Sequence, residues 1–130
     1  MHLFVYGTLR RDAGHPMHGP LRECARLRGR GRTRGILYMI GERYPGLVLD
    51  ATAGWVTGEL YQLHRPAVLE RLDEYEGASE RDPEPREYRR VRAPVRLDDG
   101  RDHSAWIYEY AWPIAGRVVI ASGDFLRREG

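Results

Sequence analysis

The feature that most constrains this chain is a short apolar run near its start, Leu3-Phe4-Val5-Tyr6, which ends at Gly7. A run of this length without polar alternation predicts a β-strand over His2 to Tyr6 that lies in the centre of a sheet. Gly7 leaves backbone N–H groups at the tip of that strand, where they can receive a carboxylate or an oxyanion. The simpler interpretation is an ordinary turn in which glycine supplies a permissive φ angle.

The length of 130 residues predicts one domain, residues 1–130, with a single modest core. No apolar stretch approaches the roughly 20 residues that a membrane-spanning helix needs, and the N-terminus lacks the basic region and apolar segment of a signal peptide. We therefore expect a cytoplasmic protein that has no membrane partner.

The basic and sulfur-containing residues limit the catalytic mechanisms and the partners that this chain can have. All 21 basic residues are arginine, so Schiff-base catalysis through a lysine is excluded. Cys24 is alone, which rules out an intramolecular disulfide, and a lone thiol is more typical of a small buried apolar residue than of a nucleophile. The net charge of +2 is too small to require a polyanionic partner.

Arginine occupies every even position from Arg26 to Arg34. This period of two predicts a β-strand with one solvated face. A nucleic-acid-binding stripe is the alternative, but such stripes interleave aromatic stacking platforms, and the segment contains none. We therefore expect no nucleic-acid partner.

A helix is predicted from Pro66 to Glu76, with Gly77 ending it. Its spacing predicts an apolar face made of Val68, Leu69, Leu72 and Tyr75. The acidic residues expected to point to water are Glu70, Asp73 and Glu74. Glu76 lies at the edge of the apolar face, seven residues after Leu69.

Most of the remaining chain is typical of strands connected by turns. Strands are predicted at 35–40, 54–63, 88–97 and 103–111, with Val56, Leu60 and Gly58 on one face of the second. Turns or loops are predicted at 11–20, with at most a short helical turn there, and at 44–47, 78–87 and 98–100, followed by a tail of mixed character from 112. The fold class is therefore α+β: a small mixed, mainly antiparallel sheet or barrel with one or two flanking helices.

Glu76 is the candidate catalytic residue. Burial at the edge of an apolar face and the negative end of the helix dipole both disfavour an ionised carboxylate, so they raise its pKa toward the range of a useful general base. The alternative is a glutamate at a frayed helix end that reaches solvent or pairs with an arginine.

Other chemistries are poorly supported. His15 and His18 are three residues apart, but the segment is rich in breakers and no carboxylate or thiol cluster joins them. No serine lies in a Gly-x-Ser-x-Gly elbow, and the glycines near Gly31 do not have the dinucleotide-binding spacing. We therefore expect neither a metal nor a cofactor.

The chain resembles the gamma-glutamylcyclotransferase-like family, and in particular its compact type. Residues 4–10 resemble the loop of that family that cradles the substrate, and residues 72–77 resemble its catalytic segment, in which the second glutamate is the acid/base. Further similarities occur in the same order at 35–38, 44–48, 58–61, 88–89 and 122–125. The resemblance therefore covers nearly the whole chain.

The resemblance implies a fold built on an antiparallel barrel and the cyclisation of a γ-glutamyl group to 5-oxoproline with release of an amine. It assigns the acid/base role to Glu76 and a substrate-binding role to Tyr6, Gly7, Thr8 and Leu9. Tyr88 is expected to orient Glu76 or the small-molecule substrate. A non-catalytic ligand-binding domain of the same fold is the alternative, and the leaving group and the oligomeric state stay open.

Overall fold

The computed structural model describes residues 1–7, 18–42 and 44–127, with the backbone alone at 18–20. Thr8, Leu9 and residues 11–17 of the predicted loop lie outside these ranges. No helix within them is long and apolar enough to cross a membrane. The elements in chain order are β1 (His2–Val5), α1 (His18–Cys24), β2 (Ala25–Ile40), β3 (Tyr44–Leu49), β4 (Trp55–Leu63), α2 (Val68–Glu76), β5 (Tyr88–Leu97), β6 (Asp102–Tyr110), β7 (Val118–Val119) and a 3-10 turn (Phe125–Arg127).

The strands form a closed barrel. Five of them follow one another in the order β1-β4-β2-β3-β6, and β6 pairs back with β1 to close the ring. The β1–β6 and β3–β6 pairs are parallel, whereas the other pairs of the ring are antiparallel. The β5 strand extends the sheet by pairing with β6 and with part of β2. The predicted mixed, mainly antiparallel barrel with flanking helices is confirmed.

Strand β1 lies between two neighbours, β4 and β6, as its apolar sequence predicts. Leu3 and Val5 pack outward into a core that the helices cover, while Phe4 and Tyr6 point into the barrel. Because both faces are buried, the strand needs no polar alternation.

The sheet therefore has one apolar core on each of its two faces. The core inside the barrel contains Phe4, Tyr6, Leu37, Leu47, Val56, Leu60, Val95, Ile107 and Phe125, among others. The core beneath the helices includes Leu3, Val5, Leu21, Tyr61, Val68, Leu69, Leu72, Tyr88, Tyr108 and Tyr110. The second core is rich in tyrosine where α2 ends, so it can offer hydroxyl groups at that point.

Gly58 is required by the packing of β4 against β1. A Cβ atom at this position would lie 2.3 Å from the Val5 carbonyl oxygen and 2.6 Å from the Phe4 ring. We expect Gly58→Ala to lower the free energy of unfolding by about 1–3 kcal/mol, because a backbone carbonyl cannot move aside as a flexible side chain can. Chemical denaturation measures this loss. Gly54→Ala is the matched control, since nothing lies within 4 Å of its added Cβ, and equal stability of the two variants would contradict the packing argument.

The arginines at the even positions of β2 are exposed, so the predicted solvated face is confirmed. The fold also places an aromatic residue beside them: the Trp55 ring lies 4.6 Å from the Arg32 guanidinium and 3.8 Å from that of Arg34. This contact was not predicted because Trp55 belongs to β4. The guanidinium groups themselves cover the ring, which is a stabilising cation–π arrangement.

The predicted turn at 44–47 is wrong, because these residues begin β3. Tyr44 to Leu49 pair with the end of β2, and Pro45 lies opposite Met39. The chain reverses earlier, at Gly41 with φ +64°. A Pro-Gly pair usually marks a turn, but here Gly46 lies within the sheet, where a Cβ would meet Tyr110 Cγ at 2.7 Å.

Two further elements differ from the prediction. Helix α1 begins at His18, inside the segment predicted as a loop, and continues to Cys24. It is held by Leu21, which is fully buried. In the tail, β7 pairs with β2 next to Tyr38. Helix α1 contacts helix α2, and β7 pairs with β2; both contacts join segments far apart in sequence, which local patterns do not reveal.

Candidate active site

Helix α2 delivers Glu76 to the site. It begins at Val68, two residues after the predicted start, and ends at Glu76 as predicted. Gly77 adopts the left-handed conformation (φ 69°, ψ 31°), and the Ala78 N–H donates to the Asp73 carbonyl at 2.8 Å. This Schellman-type end fixes the direction in which the chain leaves the helix and so the position of Glu76 in its last turn.

Asp73 anchors α2 to the barrel, which corrects the prediction that it points to water. Both of its carboxylate oxygens accept from Arg90, at 2.8 and 3.1 Å, and the Tyr108 hydroxyl donates to it at 2.6 Å. The inward face of the helix therefore runs through Leu69, Asp73 and Glu76. Tyr75, expected on the apolar face, is turned away and 42% exposed.

Glu76 is partly buried at the end of this face. Burial, and then the negative charge of Glu87, raise its pKa to about 8. Within the described ranges, no arginine or histidine lies within ion-pair distance of its carboxylate. The upward direction agrees with the sequence prediction; burial is the larger cause, as expected from the sequence, and the charge of Glu87 adds a contribution that the sequence did not reveal.

Tyr6 lies beside Glu76 at the end of β1. Its hydroxyl donates to the Tyr108 carbonyl and accepts from the Leu47 N–H at 3.2 Å. Burial raises the pKa of Tyr6 well above its ordinary value, and the charge of Glu76 raises it further. The phenol therefore stays protonated and joins β1 to β3 and β6 next to the carboxylate.

Tyr88 and the Gly7 turn meet at Pro45. The Tyr88 hydroxyl donates to the Pro45 carbonyl at 2.7 Å. Burial raises the pKa of Tyr88, and the nearby Tyr6 and Glu76 add to that rise. A Cβ on Gly7 would lie 2.7 Å from Pro45 Cγ, so the close approach needs a glycine. Four of the six predicted site residues are thus brought together, while Thr8 and Leu9 lie outside the described ranges.

Sequence reasoning missed three residues of this cluster: Tyr44, Glu87 and Tyr110. The Tyr44 hydroxyl donates to Glu87 Oε2 at 2.5 Å. The Tyr110 ring meets that of Tyr88 edge-on, with 5.3 Å between centroids. Glu87 directly precedes Tyr88, and that adjacency is the only local signal in the sequence that would have drawn attention to it.

The carboxylates of this region fall into two classes. Asp73 is paired with Arg90, and buried Glu109 accepts from Arg89 at 2.9 and 3.0 Å and from the Leu49 N–H at 2.9 Å. Glu76 and Glu87 have no such cation among the residues described. Paired carboxylates stabilise the fold, whereas an unpaired, partly buried one is suited to exchange protons.

A metal centre has no visible framework in ranges 1–7, 18–42 and 44–127, because no three histidine, cysteine, aspartate or glutamate side chains are grouped to hold an ion. His15 lies outside these ranges, so the expected absence of a metal stays a prediction.

A protein-family model described as gamma-glutamyl cyclotransferase, AIG2-like, matches residues 3–127. The chain belongs to this family. The resemblance found in the sequence is thereby confirmed, and the segments at 4–10 and 72–77 that carried it both lie within the match.

Comparisons with individual proteins support the same family assignment. The gamma-glutamylcyclotransferase family protein YtfP of Escherichia coli K12 is 35% identical over 132 positions, covering 99% of each chain. The gamma-L-glutamyl-butirosin B gamma-glutamyl cyclotransferase of Niallia circulans is 33% identical over 110 residues, 83% of this chain and 65% of that one. Among solved structures, an uncharacterized protein of Pyrococcus horikoshii covers 96% of this chain and 89% of its own, with 28% identity and a TM-score of 0.66.

Proposed function

We propose that this protein converts a γ-glutamyl amide or γ-glutamyl amino acid to 5-oxoproline and a free amine, with Glu76 as general acid/base. The observation that carries the proposal is the state of Glu76: a partly buried carboxylate with a pKa of about 8 and no arginine partner among the described residues. Its place in the family match from 3 to 127 supports the same reaction.

The reaction needs no nucleophile from the protein. The α-amine of the γ-glutamyl group attacks its own γ-carbonyl carbon, which forms the ring C–N bond. The amide C–N bond then breaks and releases the amine. Two protons leave the α-ammonium nitrogen as it becomes the ring N–H, and the departing nitrogen takes up both and leaves as an ammonium, so no water is consumed. Ring closure within one molecule has a high effective concentration, so holding the bent conformer is much of the task.

Glu76 accepts a proton from the α-ammonium and later donates a proton to the leaving nitrogen. A pKa near neutrality suits both steps, because the group must gain and lose the proton in one cycle. Backbone amides around Gly7, Thr8 and Leu9 receive the substrate carboxylate or the oxyanion. Tyr6 and Tyr88, whose hydroxyls are committed to backbone partners, shape the wall beside Glu76. The protein acts on this small molecule in the cytoplasm, with neither nucleic acid nor membrane as partner.

A substrate panel tests the proposal. We expect 5-oxoproline from at least one γ-glutamyl amine, γ-glutamyl amino acid or glutathione, in equal amount with the released amine. We also expect turnover to survive exhaustive chelation, since cyclisation uses no redox partner or Lewis acid. Loss of activity on removal of a stoichiometric metal would contradict the second expectation.

The competing function is a non-catalytic binding domain with the same pocket. Calorimetric binding of a γ-glutamyl compound or of 5-oxoproline, with no turnover across the pH range, would favour it over the cyclotransferase.

A further inference from the structure

The end of the barrel opposite Glu76 is lined by polar side chains that the proposed reaction does not use. We call it the His2 mouth: β1, β2 and β6 begin there, and β4 ends there. Side chains alternate along a strand, so His2 lies on the same face of β1 as Phe4, which points into the barrel. Likewise, His103 lies on the same face of β6 as Ile107, another residue of the inner core. Both imidazoles therefore lie at the edge of the barrel interior.

The His2 mouth is remote from the candidate active site. The β1 and β6 strands are parallel, and both run from this mouth toward the end that holds Tyr6 and Tyr110. At about 3.3 Å per residue, the strand from His103 to Tyr110 extends about 23 Å. A ligand at the His2 mouth would therefore be separate from a substrate beside Glu76.

Two imidazoles meet at this mouth, and one of them has an unsatisfied nitrogen. The ring centroids of His2 and His103 lie 4.8 Å apart, with 54° between the ring planes. The Nε2 atom of His103 is buried and has no hydrogen-bond partner among the described residues. A buried polar atom without a partner costs free energy, so at the edge of an opening it indicates a position that a ligand completes.

A β-bulge places Arg28 at the same mouth. The pairing of β2 with β4 shifts register between Leu27 and Gly29, so Arg28 has no residue opposite it and its side chain is re-aimed. Its Nη1 donates to Gln62 Oε1 at 3.3 Å, and Gln62 lies directly opposite His2 in the β1–β4 pair. A guanidinium has five N–H donors, so donors remain for a ligand.

The charges at the His2 mouth favour an anion. Burial, and then the charge of His103, lower the pKa of the His2 imidazole. The Met1 ammonium and Arg28 lower it further. These groups repel one another's positive charge, and an anion placed among them would relieve that repulsion.

A metal ion fits this mouth less well. Asp102, the carboxylate next to His103, is already paired with Arg96 through both oxygens, at 2.9 and 3.4 Å. Within residues 1–7, 18–42 and 44–127, no three histidine, cysteine, aspartate or glutamate side chains are grouped to hold an ion. The Arg28 guanidinium would also repel a cation.

We propose that His2, Arg28 and His103, with the Gln62 amide, form a binding site for a phosphate group. The side chains offer guanidinium, imidazole and amide N–H donors, whereas a phosphate oxyanion offers only acceptors. Arginine binds phosphate through two parallel hydrogen bonds. A carboxylate has too few oxygens to accept from all four side chains. Inorganic phosphate and a small phosphomonoester both present the required group.

Calorimetry on the protein without substrate tests the site and separates these two sources. We expect inorganic phosphate to bind with a Kd of about 1 mM or tighter, and acetate to bind at least about tenfold more weakly. Methyl phosphate that binds as tightly as inorganic phosphate shows a site open to phosphomonoesters, whereas weaker binding restricts it to the free ion. Absence of binding by both phosphates, or equal binding of acetate, would overturn the proposal.

Two variants and a matched control assign the binding to these side chains. Sulfate is the probe, because its charge does not change between pH 5 and 8. Arg28→Gln and His103→Gln should each weaken sulfate binding at pH 6 about tenfold, the size expected for one charge-assisted hydrogen bond. Arg32→Gln is the control, because Arg32 is an exposed arginine of the same strand whose guanidinium lies over Trp55. An equal loss in Arg32→Gln would assign the binding to the general positive charge of β2 and overturn the site.

Proton uptake gives a signature that general surface charge would not produce. A bound anion favours the charged imidazole and so raises the pKa of His2 toward its ordinary value. Sulfate should therefore bind more tightly at pH 5.5 than at pH 8, with protons taken up on binding. Calorimetry in buffers of different ionisation enthalpy measures this uptake, which should decrease in His2→Gln. An affinity that does not change with pH would remove the imidazoles from the site.

An NMR titration of the wild type locates the ion without any substitution. We expect sulfate to shift the side-chain signals of the four proposed residues, His2, Arg28, Gln62 and His103. Shifts confined to Tyr6 and Gly7 would place the ion at the opposite end of the barrel and overturn the proposal. So would tight binding of Zn²⁺ that is lost in both His2→Gln and His103→Gln, since that result would make the imidazole pair a metal site.

Discussion

The Glu76→Gln variant is expected to lose at least about 100-fold in kcat for 5-oxoproline release, whereas Glu74→Gln should keep wild-type activity. Glutamine preserves the shape of the side chain and most of its hydrogen bonding, but it cannot shuttle a proton. Glu74 lies two residues away on the opposite side of α2, 61% exposed, with its carboxylate 3.8 Å from Arg81. Comparing the two variants therefore distinguishes the loss of proton transfer from a general effect of removing a negative charge from this helix.

Stability measurements show whether the lost activity reflects unfolding. Because the pKa of Glu76 is raised in the folded protein, the folded state favours the protonated acid. That stabilisation is complete below the unfolded pKa and is lost as pH rises through about 8. Glutamine resembles the neutral acid at every pH, so Glu76→Gln should have a higher Tm than wild type at pH 9 and a similar one near pH 4.5. Equal loss of activity in the two glutamine variants, or full activity in Glu76→Gln, would remove Glu76 from the acid/base role.

The parts of the site that could be predicted are those encoded by neighbours in sequence. The Leu3-Phe4-Val5-Tyr6 run indicates a strand buried on both faces, and β1 has a strand on each side. Helical spacing and the terminating Gly77 indicate where α2 ends, which is what sets the position of Glu76. These features depend on backbone periodicity and on the φ freedom of one glycine, so a single sequence reveals them.

The parts that could not be predicted depend on which strands pair. Tyr44 contacts Glu87, 43 positions away, only because β3 and β5 meet at the same end of the barrel. The Pro-Gly pair at 45–46 is typical of a turn, yet pairing with β2 overrides that local preference. The helical pattern predicts that Asp73 faces solvent, but Arg90 of β5 lies beside it and donates a hydrogen bond to its carboxylate. In each case a contact between residues far apart in sequence overrides what the local sequence pattern predicts.

The pH dependence of the reaction tests the environment of Glu76 directly. The reaction begins with Glu76 as the base, so only its deprotonated form is productive. The fraction in that form falls about tenfold per pH unit below the pKa. Since the pKa of Glu76 in the free enzyme is about 8, the acidic limb of the kcat/KM profile should have its midpoint close to pH 8 and reach a slope of one below it.

The limb in kcat should lie at lower pH than the limb in kcat/KM. The profile of kcat reports the enzyme–substrate complex, where the α-ammonium of the substrate lies next to Glu76 and favours its charged form. The substrate ammonium also titrates in alkaline solution, and Glu87→Gln distinguishes the two groups: removing the Glu87 charge lowers the pKa of Glu76 but cannot alter that of the free substrate. A limb that moves to lower pH in Glu87→Gln therefore belongs to Glu76. A wild-type profile that stays flat down to pH 6 would mean that the carboxylate is solvated or ion-paired during turnover, and its partly buried position beside Tyr6 and Tyr88 would then not be the working one.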